Sequence, residues 1–481
     1  MSDNRPNVLW ICTDQQRYDT LGCYGNDLVD TPAIDRLADD GVRFSRCFSQ
    51  NPVCTPSRAS FLTGRYPRTT RCRQNGQPMP RSERLLPRRL AEAGYECGLV
   101  GKLHLSPTNA DDDANAQEEP ARRIKDGYGS FTWSPAAGDP RPANEYRQWL
   151  RKQGVEFDPT PVRDSEYVST SVSPEYHQTV WAAQTAETFV ETMADDDRPW
   201  CYSVNLFDPH HPFDPPRSYL ERYLDDLEDV PLPNADEEEL AEKPAVQRQA
   251  AEQGALSGPE MDDEDHRLVR AAYYAMVDLI DDAVDHMLTA LDCTGQRDST
   301  LVVFHSDHGE MLGDHGIYKK GPYFYEPAIR VPLVFSWPDA LPSGEETDAL
   351  VELADLAPTI ADAAGLDRAP GTQARSLWPR LAGDEPLDAH REDVYCEFYN
   401  ASRRHTDPPR YATMVRTDRY KYVRHHGDGQ DELYDLREEP LERHNHVDDP
   451  DFRDIHVRLL GRLADRTART VDPLPERAGA W

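Results

Sequence analysis

The 481-residue chain carries 53 Lys and Arg against 87 Asp and Glu, a formal net charge of −34. That balance argues against nucleic acid or an anionic membrane surface as a partner, and its spread along the whole chain predicts adaptation to high salt. The length suffices for one large domain and a smaller one. Nine cysteines (12, 23, 47, 54, 72, 97, 201, 293 and 396) are odd in number and form no C-x-x-C pair, so neither a disulfide framework nor a structural zinc site is expected. Met1 to Pro6 leads into a strand without an apolar leader region, and no run of about 18 apolar residues follows. A cytoplasmic protein without a membrane span is the expectation.

In chain order, Asn7 to Thr13 is an apolar run of strand length that delivers Asp14-Gln15 at its end. Helical material runs from Pro32 to Asp40, with Gly41 as its stop, and Val42-Arg43-Phe44 leads on towards Cys54. There, Thr55 is a capping type, Pro56 suits a first helical position and Gly64 a stop, which predicts a short helix with Cys54 just before its N-terminus. Free amides and the positive end of the helix dipole meet at that point. They favour a thiolate and receive a sulfate or phosphate group.

Three further apolar runs end the same way. Tyr95 to Val100 empties into Gly101-Lys102-Leu103-His104, Trp200 to Leu206 into Asp208-Pro209-His210-His211, and Thr300 to Ser306 into Asp307-His308-Gly309-Glu310. A parallel sheet with one polar site along its carboxyl edge accounts for the pattern. Asn109 to Pro120 and Asp225 to Pro244 are acidic and read as solvated insertions, whereas the spacing of Leu268, Ala272, Met276, Leu279, Ile280 and Val284 predicts a long helix from about Asp263 to Leu291. Arg330 to Phe335 reads as another core strand and Leu353 to Ala364 as a helix. Beyond Gly365, Tyr411 to Arg416 and Tyr420 to Arg424 form a strand pair, and Phe452 to Thr467 a final helix.

The pattern C-x-P-S-R-x-x-x-L-T-G-R, from Cys54 to Arg65, resembles the signature of the sulfatase family, the formylglycine-dependent branch of the alkaline phosphatase superfamily. The resemblance continues through Ser306 to Lys320 and covers nearly the whole chain. It implies an α/β fold with a large, mostly parallel central sheet flanked by helices and a small C-terminal antiparallel sheet plus helix. We divide the chain into a catalytic domain, 1–365, and a C-terminal subdomain, 366–481.

Residue by residue, the resemblance makes Cys54 the precursor of 3-oxoalanine (formylglycine), produced by a maturation enzyme. It makes Asp14, Gln15, Asp307 and His308, beside the modified Cys54, the ligands of one divalent metal. Ca²⁺ is the family precedent; Mg²⁺ and Mn²⁺ stay open because Gln15 stands where many members have Asp, and the nitrogen of His308 suits Mn²⁺. Arg58, Lys102 and Lys320 match cations that neutralise the nucleophile and the bound anion. His104 matches the residue that meets the formylglycine hydroxyls, and His210 the sulfate-binding histidine and candidate acid, with His211 able to exchange roles with it. His315 receives a supporting place.

The implied reaction is attack on sulfur by one hydroxyl of the hydrated aldehyde, protonation of the leaving oxygen by His210, and expulsion of sulfate when the second hydroxyl collapses to the aldehyde. The substrate would be a sulfated small molecule or carbohydrate. Its leaving group would be read by loops, chiefly 106–149, 160–176 and 215–262. A phosphonate monoester or phosphodiester hydrolase of the same superfamily is the alternative, and a non-catalytic binding protein of sulfatase type is a third reading.

Overall fold

The computed structural model describes residues 5–107, 123–236, 239, 243–253, 261–401, 408–427 and 429–475. The predicted insertion at Asn109 to Pro120 lies outside them. Eight strands form the central sheet in the order Glu345–Thr347, Val42–Phe44, Leu333–Ser336, Thr300–Ser306, Asn7–Thr13, Trp200–Asn205, Glu96–Gly101, Ser130–Trp133. The four runs that end in polar residues are thus neighbours, and they are parallel: Leu9 stands level with Tyr202 on one side and Val302 on the other. Their carboxyl ends share one edge, as expected.

Continuous apolar sequence is what a strand buried on both faces requires. Leu9, Ile11, Val204 and Phe304 pack beneath the helices Pro32–Asp39, Gln178–Met193 and Asp263–Cys293. The alternate residues Val8, Trp10, Cys201 and Val303 pack against Cys54–Thr63, Leu86–Glu92 and Leu356–Ala363 on the other side. The long helix also carries Asp278 and Asp281 into the interior. Asp281 accepts from the backbone N–H of Ala33 (3.0 Å) and Ile34 (2.8 Å), and burial pushes its carboxyl up to about 7 and that of Asp278 to about 6.

Three expectations change in the structure. The strand predicted at 330–335 divides at Pro332, which has no N–H for a ladder: Arg330–Val331 joins a three-stranded sheet, while Leu333–Ser336 runs antiparallel in the central one. The helix at Cys54 begins two residues earlier than expected, with Val53 rather than Thr55 as its cap, and the Thr55 hydroxyl caps nothing. Gly64 ends it in the left-handed conformation as anticipated. The segment 225–244 is not simply solvated: Leu227 and Val230 enter the core, and Glu239 and Lys243 are buried because they pair with each other (2.5 Å) while Lys243 lies 4.6 Å from the Tyr325 ring centroid.

The C-terminal sheet has four antiparallel strands, Asp393–Tyr399, Tyr411–Thr417, Tyr420–His426 and Glu432–Asp435, followed by the helix Arg453–Arg469. Its first strand had no counterpart in the sequence reading. All nine cysteines are unpaired, and seven are buried. Among the described residues no helix is long and apolar enough to cross a membrane.

Candidate active site

Asp14 and Gln15 follow the strand Asn7–Thr13, Lys102 and His104 follow Glu96–Gly101, His210 and His211 follow Trp200–Asn205, and Asp307 and His308 follow Thr300–Ser306. The helix Cys54–Thr63, buried along its whole length, points its N-terminus into the same place. Gly101 makes the turn into Lys102: its φ is +101°, and a side chain there would meet the Asn205 carbonyl at 2.0 Å. Gln15, His104 and Lys319 also have positive φ (67°, 56° and 67°), conformations that cost strain in residues with a Cβ and that gather here around Cys54.

One ligand atom from each of Asp14, Cys54, Asp307 and His308 lies within 4.8 Å of the other three, and all four residues are buried. His308 Nδ1–H donates to the Gly309 carbonyl (2.8 Å), which turns Nε2 towards Cys54 Sγ at 3.2 Å. Gln15 Nε2 donates to Glu310, and Gln15 Oε1 is buried without any hydrogen-bond partner. An orphaned carbonyl oxygen beside two carboxylates and an imidazole nitrogen is the donor set that suits a hard or borderline divalent cation. These residues fit the metal that the family implies.

Cations surround the sulfur. Lys320 Nζ stands 2.9 Å and Lys102 Nζ 3.6 Å from Cys54 Sγ, and Lys102 also pairs with Asp14. Burial would raise the Cys54 thiol, but Lys102, Lys320 and His308 together hold it well below the usual thiol range. Arg58 reaches the centre through the carboxylates: Nε donates to Asp307 (2.9 Å), Nη2 to Asp14 (3.2 Å) and Nη1 to the Lys102 carbonyl (2.7 Å). All three charged side chains are 0% exposed. Burial, reinforced by Lys102, lowers His104, and burial with Lys320 brings His210 down to about 4. His210 gives Nδ1–H to the His211 carbonyl, and the two rings stack with centroids 4.1 Å apart.

The structure therefore brings together Asp14, Gln15, Cys54, Arg58, Lys102, His104, His210, His211, Asp307, His308 and Lys320. His315 is elsewhere: it stacks on Tyr325 (3.8 Å) and bonds Glu239 at 2.5 Å, so it joins the packing of the C-terminal sheet. Above Cys54 opens a cavity of about 390 Å³. Of the loops offered for leaving-group recognition, only 106–149 contributes described lining residues, namely Pro135, Ala136, Asp139 and Arg141. Sequence reasoning missed Asn75, whose Oδ1 accepts from Thr55 N–H at the helix N-terminus (3.0 Å), and Glu310, which holds the Gln15 carboxamide. Asn75 carried no motif; Glu310 stood inside one, but as a buried acid its role depends on a partner distant in the chain.

A sheet whose carboxyl edge gathers a helix N-terminus, two lysines and a candidate divalent-ion cradle has the parts of a hydrolase of tetrahedral anionic esters. More narrowly, the Sulfatase family model matches residues 6–366 and the model of the N-sulphoglucosamine sulphohydrolase C-terminal region matches 313–469. The chain belongs to the sulfatase family. It is 30% identical to the uncharacterized sulfatase YidJ of Escherichia coli (strain K12), over 99% of this chain and 90% of that one. It is 25% identical to an N-acetylglucosamine-6-O-sulfatase of Bacteroides thetaiotaomicron, over 98% and 88% respectively. The phosphonate monoester hydrolase of Agrobacterium radiobacter superposes with a TM-score of 0.83 at 28% identity, over 98% of this chain and 97% of that one.

Proposed function

We propose that the protein hydrolyses sulfate monoesters, with sulfated carbohydrates as the leading substrate class, after a maturation enzyme has oxidised Cys54 to formylglycine. The observation that carries this reading is the convergence of Cys54, at the N-terminus of its helix, with Asp14, Asp307, His308, Lys102 and Lys320. Asp14, Gln15, Asp307 and His308 would hold one divalent metal, whose chemistry there is Lewis-acid stabilisation of negative charge. Cys54 Sγ stands in for an oxygen of the formylglycine hydrate, which supplies a nucleophilic hydroxyl and a second hydroxyl for release.

The remaining roles belong to side chains already in position. Lys102 and Lys320 flank the sulfur and would take up charge developing on the ester oxygens without reorganisation. Arg58 fixes both carboxylates, so its part is to hold the cradle in shape. His210, oriented by its own Nδ1–H bond, is the group to protonate the leaving oxygen at Nε2; an incoming anionic ester opposes the influence of Lys320 and favours that proton. His104, kept neutral by burial and Lys102, suits the base that frees the product.

A second reading, hydrolysis of phosphonate monoesters or phosphodiesters, is favoured by Gln15 and His308 at the cradle and by the Agrobacterium radiobacter neighbour. Peptide mass analysis for an aldehyde at position 54 separates either hydrolase from a non-catalytic binding protein, and a panel of aryl sulfates, carbohydrate sulfates and phosphonate esters decides between the two hydrolases. Highest kcat/KM on a sulfate supports the proposal; highest kcat/KM on a phosphonate ester replaces it with the second reading.

A further inference from the structure

The lysine beside Lys320 has no task in the chemistry above. Lys319 lines the same cavity, half-buried, and its backbone N–H is held by the Glu310 carboxylate that also holds Gln15. Its ammonium makes no hydrogen bond or ion pair among the described residues. The other cations at this cavity are engaged: Lys102 pairs with Asp14, Lys320 lies 4.0 Å from Asp14, and Arg141 grips Asp139 at 2.9 and 3.0 Å. Taking an ammonium partly out of water without a counter-charge is unfavourable. Its backbone is held at a φ of 67° by the bond to Glu310, so the side chain leaves the main chain at the wall of the cavity.

A net charge of −34 makes an unpartnered cation here more significant, because at long range the protein repels every anionic substrate. A substrate with a second negative group gains most from a local cation that no protein carboxylate holds in a hydrogen bond or ion pair, the Glu310 carboxylate acting on the Lys319 ammonium only through space. Around it the cavity offers the Phe207 ring and Pro135 as apolar surface and Asn75 as a polar contact, the mixture that fits a sugar ring.

We propose that Lys319 is a specificity residue that pairs with a second anionic group on the leaving-group side of the substrate, a carboxylate or another sulfate on the sugar. The proposal rests on the sulfate-ester reading of this site and narrows its substrate class to sugars that are anionic apart from the scissile sulfate.

The test uses matched pairs: a sulfated uronate against its neutral methyl ester, and a disulfated sugar against its monosulfated counterpart. Wild-type kcat/KM should favour the anionic member of at least one pair by about 10- to 100-fold, the worth of one charge-assisted hydrogen bond. The pair that responds identifies the group. In Lys319→Met that preference should collapse towards unity, and Lys319→Arg should restore much of it. A general folding defect lowers both members alike and leaves the ratio standing. Calorimetric binding to Cys54→Ala, with and without Lys319→Met, reads the same discrimination without turnover. A wild-type ratio near one in both pairs, or a preference that persists in both kinetics and binding of the Met variant, overturns the inference. Discrimination in binding that Lys319→Met removes, with no sulfate turnover by aldehyde-bearing wild type, overturns the sulfate-ester reading and leaves the Lys319 contact established.

Discussion

Arg58→Met separates the structural role of the guanidinium from that of the metal. Arg58 is wholly buried with Asp14 and Asp307, and it donates to both carboxylates and to the Lys102 carbonyl. Methionine keeps most of the volume but leaves two buried carboxylates short of a partner. Asp14 retains Lys102, whereas Asp307 retains the Gln15 backbone N–H at 3.1 Å and the His308 imidazole at 3.6 Å. Breaking one side of a buried ion pair costs about 3–5 kcal/mol, and the surviving Lys102 contact places this case near the lower end. A divalent ion at the cradle would supply countercharge to the same oxygens, so the loss should be smaller in metal-loaded than in chelated protein. Urea unfolding of wild type and variant, with EDTA and with excess metal, measures both quantities. A loss below about 1 kcal/mol in chelated protein, the range of an ordinary surface pair, or an equal loss with and without metal, would refute the reasoning.

Cys54→Ala should abolish turnover while the fold survives, because it removes the nucleophile and almost no core volume; turnover within about tenfold of wild type, where acid–base effects alone are worth roughly 10²–10⁴, removes the formylglycine proposal. Chelation should silence the enzyme, and Asp307→Ala should lower metal content by elemental analysis; a full metal complement in that variant is inconsistent with the cradle. Asp281 and Asp278 have carboxyls raised from 3.8 to about 7 and about 6, so as pH falls below about 7 the native state takes up protons that the unfolded chain does not. Their contribution to stability therefore increases as pH falls from about 7 towards 4. The gain in melting temperature between pH 8 and pH 5.5 should shrink in Asp281→Asn, and an undiminished gain assigns the effect elsewhere. With a net charge of −34, melting temperature should also climb as KCl goes from 0.1 M to 3 M, since the Debye length falls to about 3 Å at 1 M; a flat profile leaves the acidic composition needing another cause.

The central strands were legible because both of their faces are buried. Asn7–Thr13 and Thr300–Ser306 have no solvent face to interrupt the apolar run, so length and the polar residues at their ends define them. Their neighbourhood in the sheet is not written in the run itself. The strand Asp393–Tyr399 escaped notice for the converse reason: Glu397 sits in its middle, wholly buried and satisfied by Arg68 Nε at 2.9 Å and the Tyr395 hydroxyl at 2.9 Å. A carboxylate in a strand interior reads as surface until its partner, more than 300 positions away, is known.

The active-site residues were legible for a different reason, since nothing in local periodicity marks Lys102 or His210. Four strand ends and one helix N-terminus had to be assumed to coincide, and the parallel sheet makes them coincide. What remained hidden is the layer that orients those residues. Glu310 turns the Gln15 amide so that its oxygen is left without a partner, and the same carboxylate holds the Lys319 backbone in a left-handed conformation beside the cavity. One buried acid thus connects the oxygen offered to a metal with the cation offered to the substrate. Glu310→Gln keeps its shape but removes its charge and turns one of its two acceptors into a donor, so one of those holds must weaken. The expected result is reduced metal retention or a relaxed preference for anionic sugars, read by elemental analysis and by the matched substrate pairs. A variant unchanged in both would show that Gln15 and Lys319 are positioned by their backbones alone.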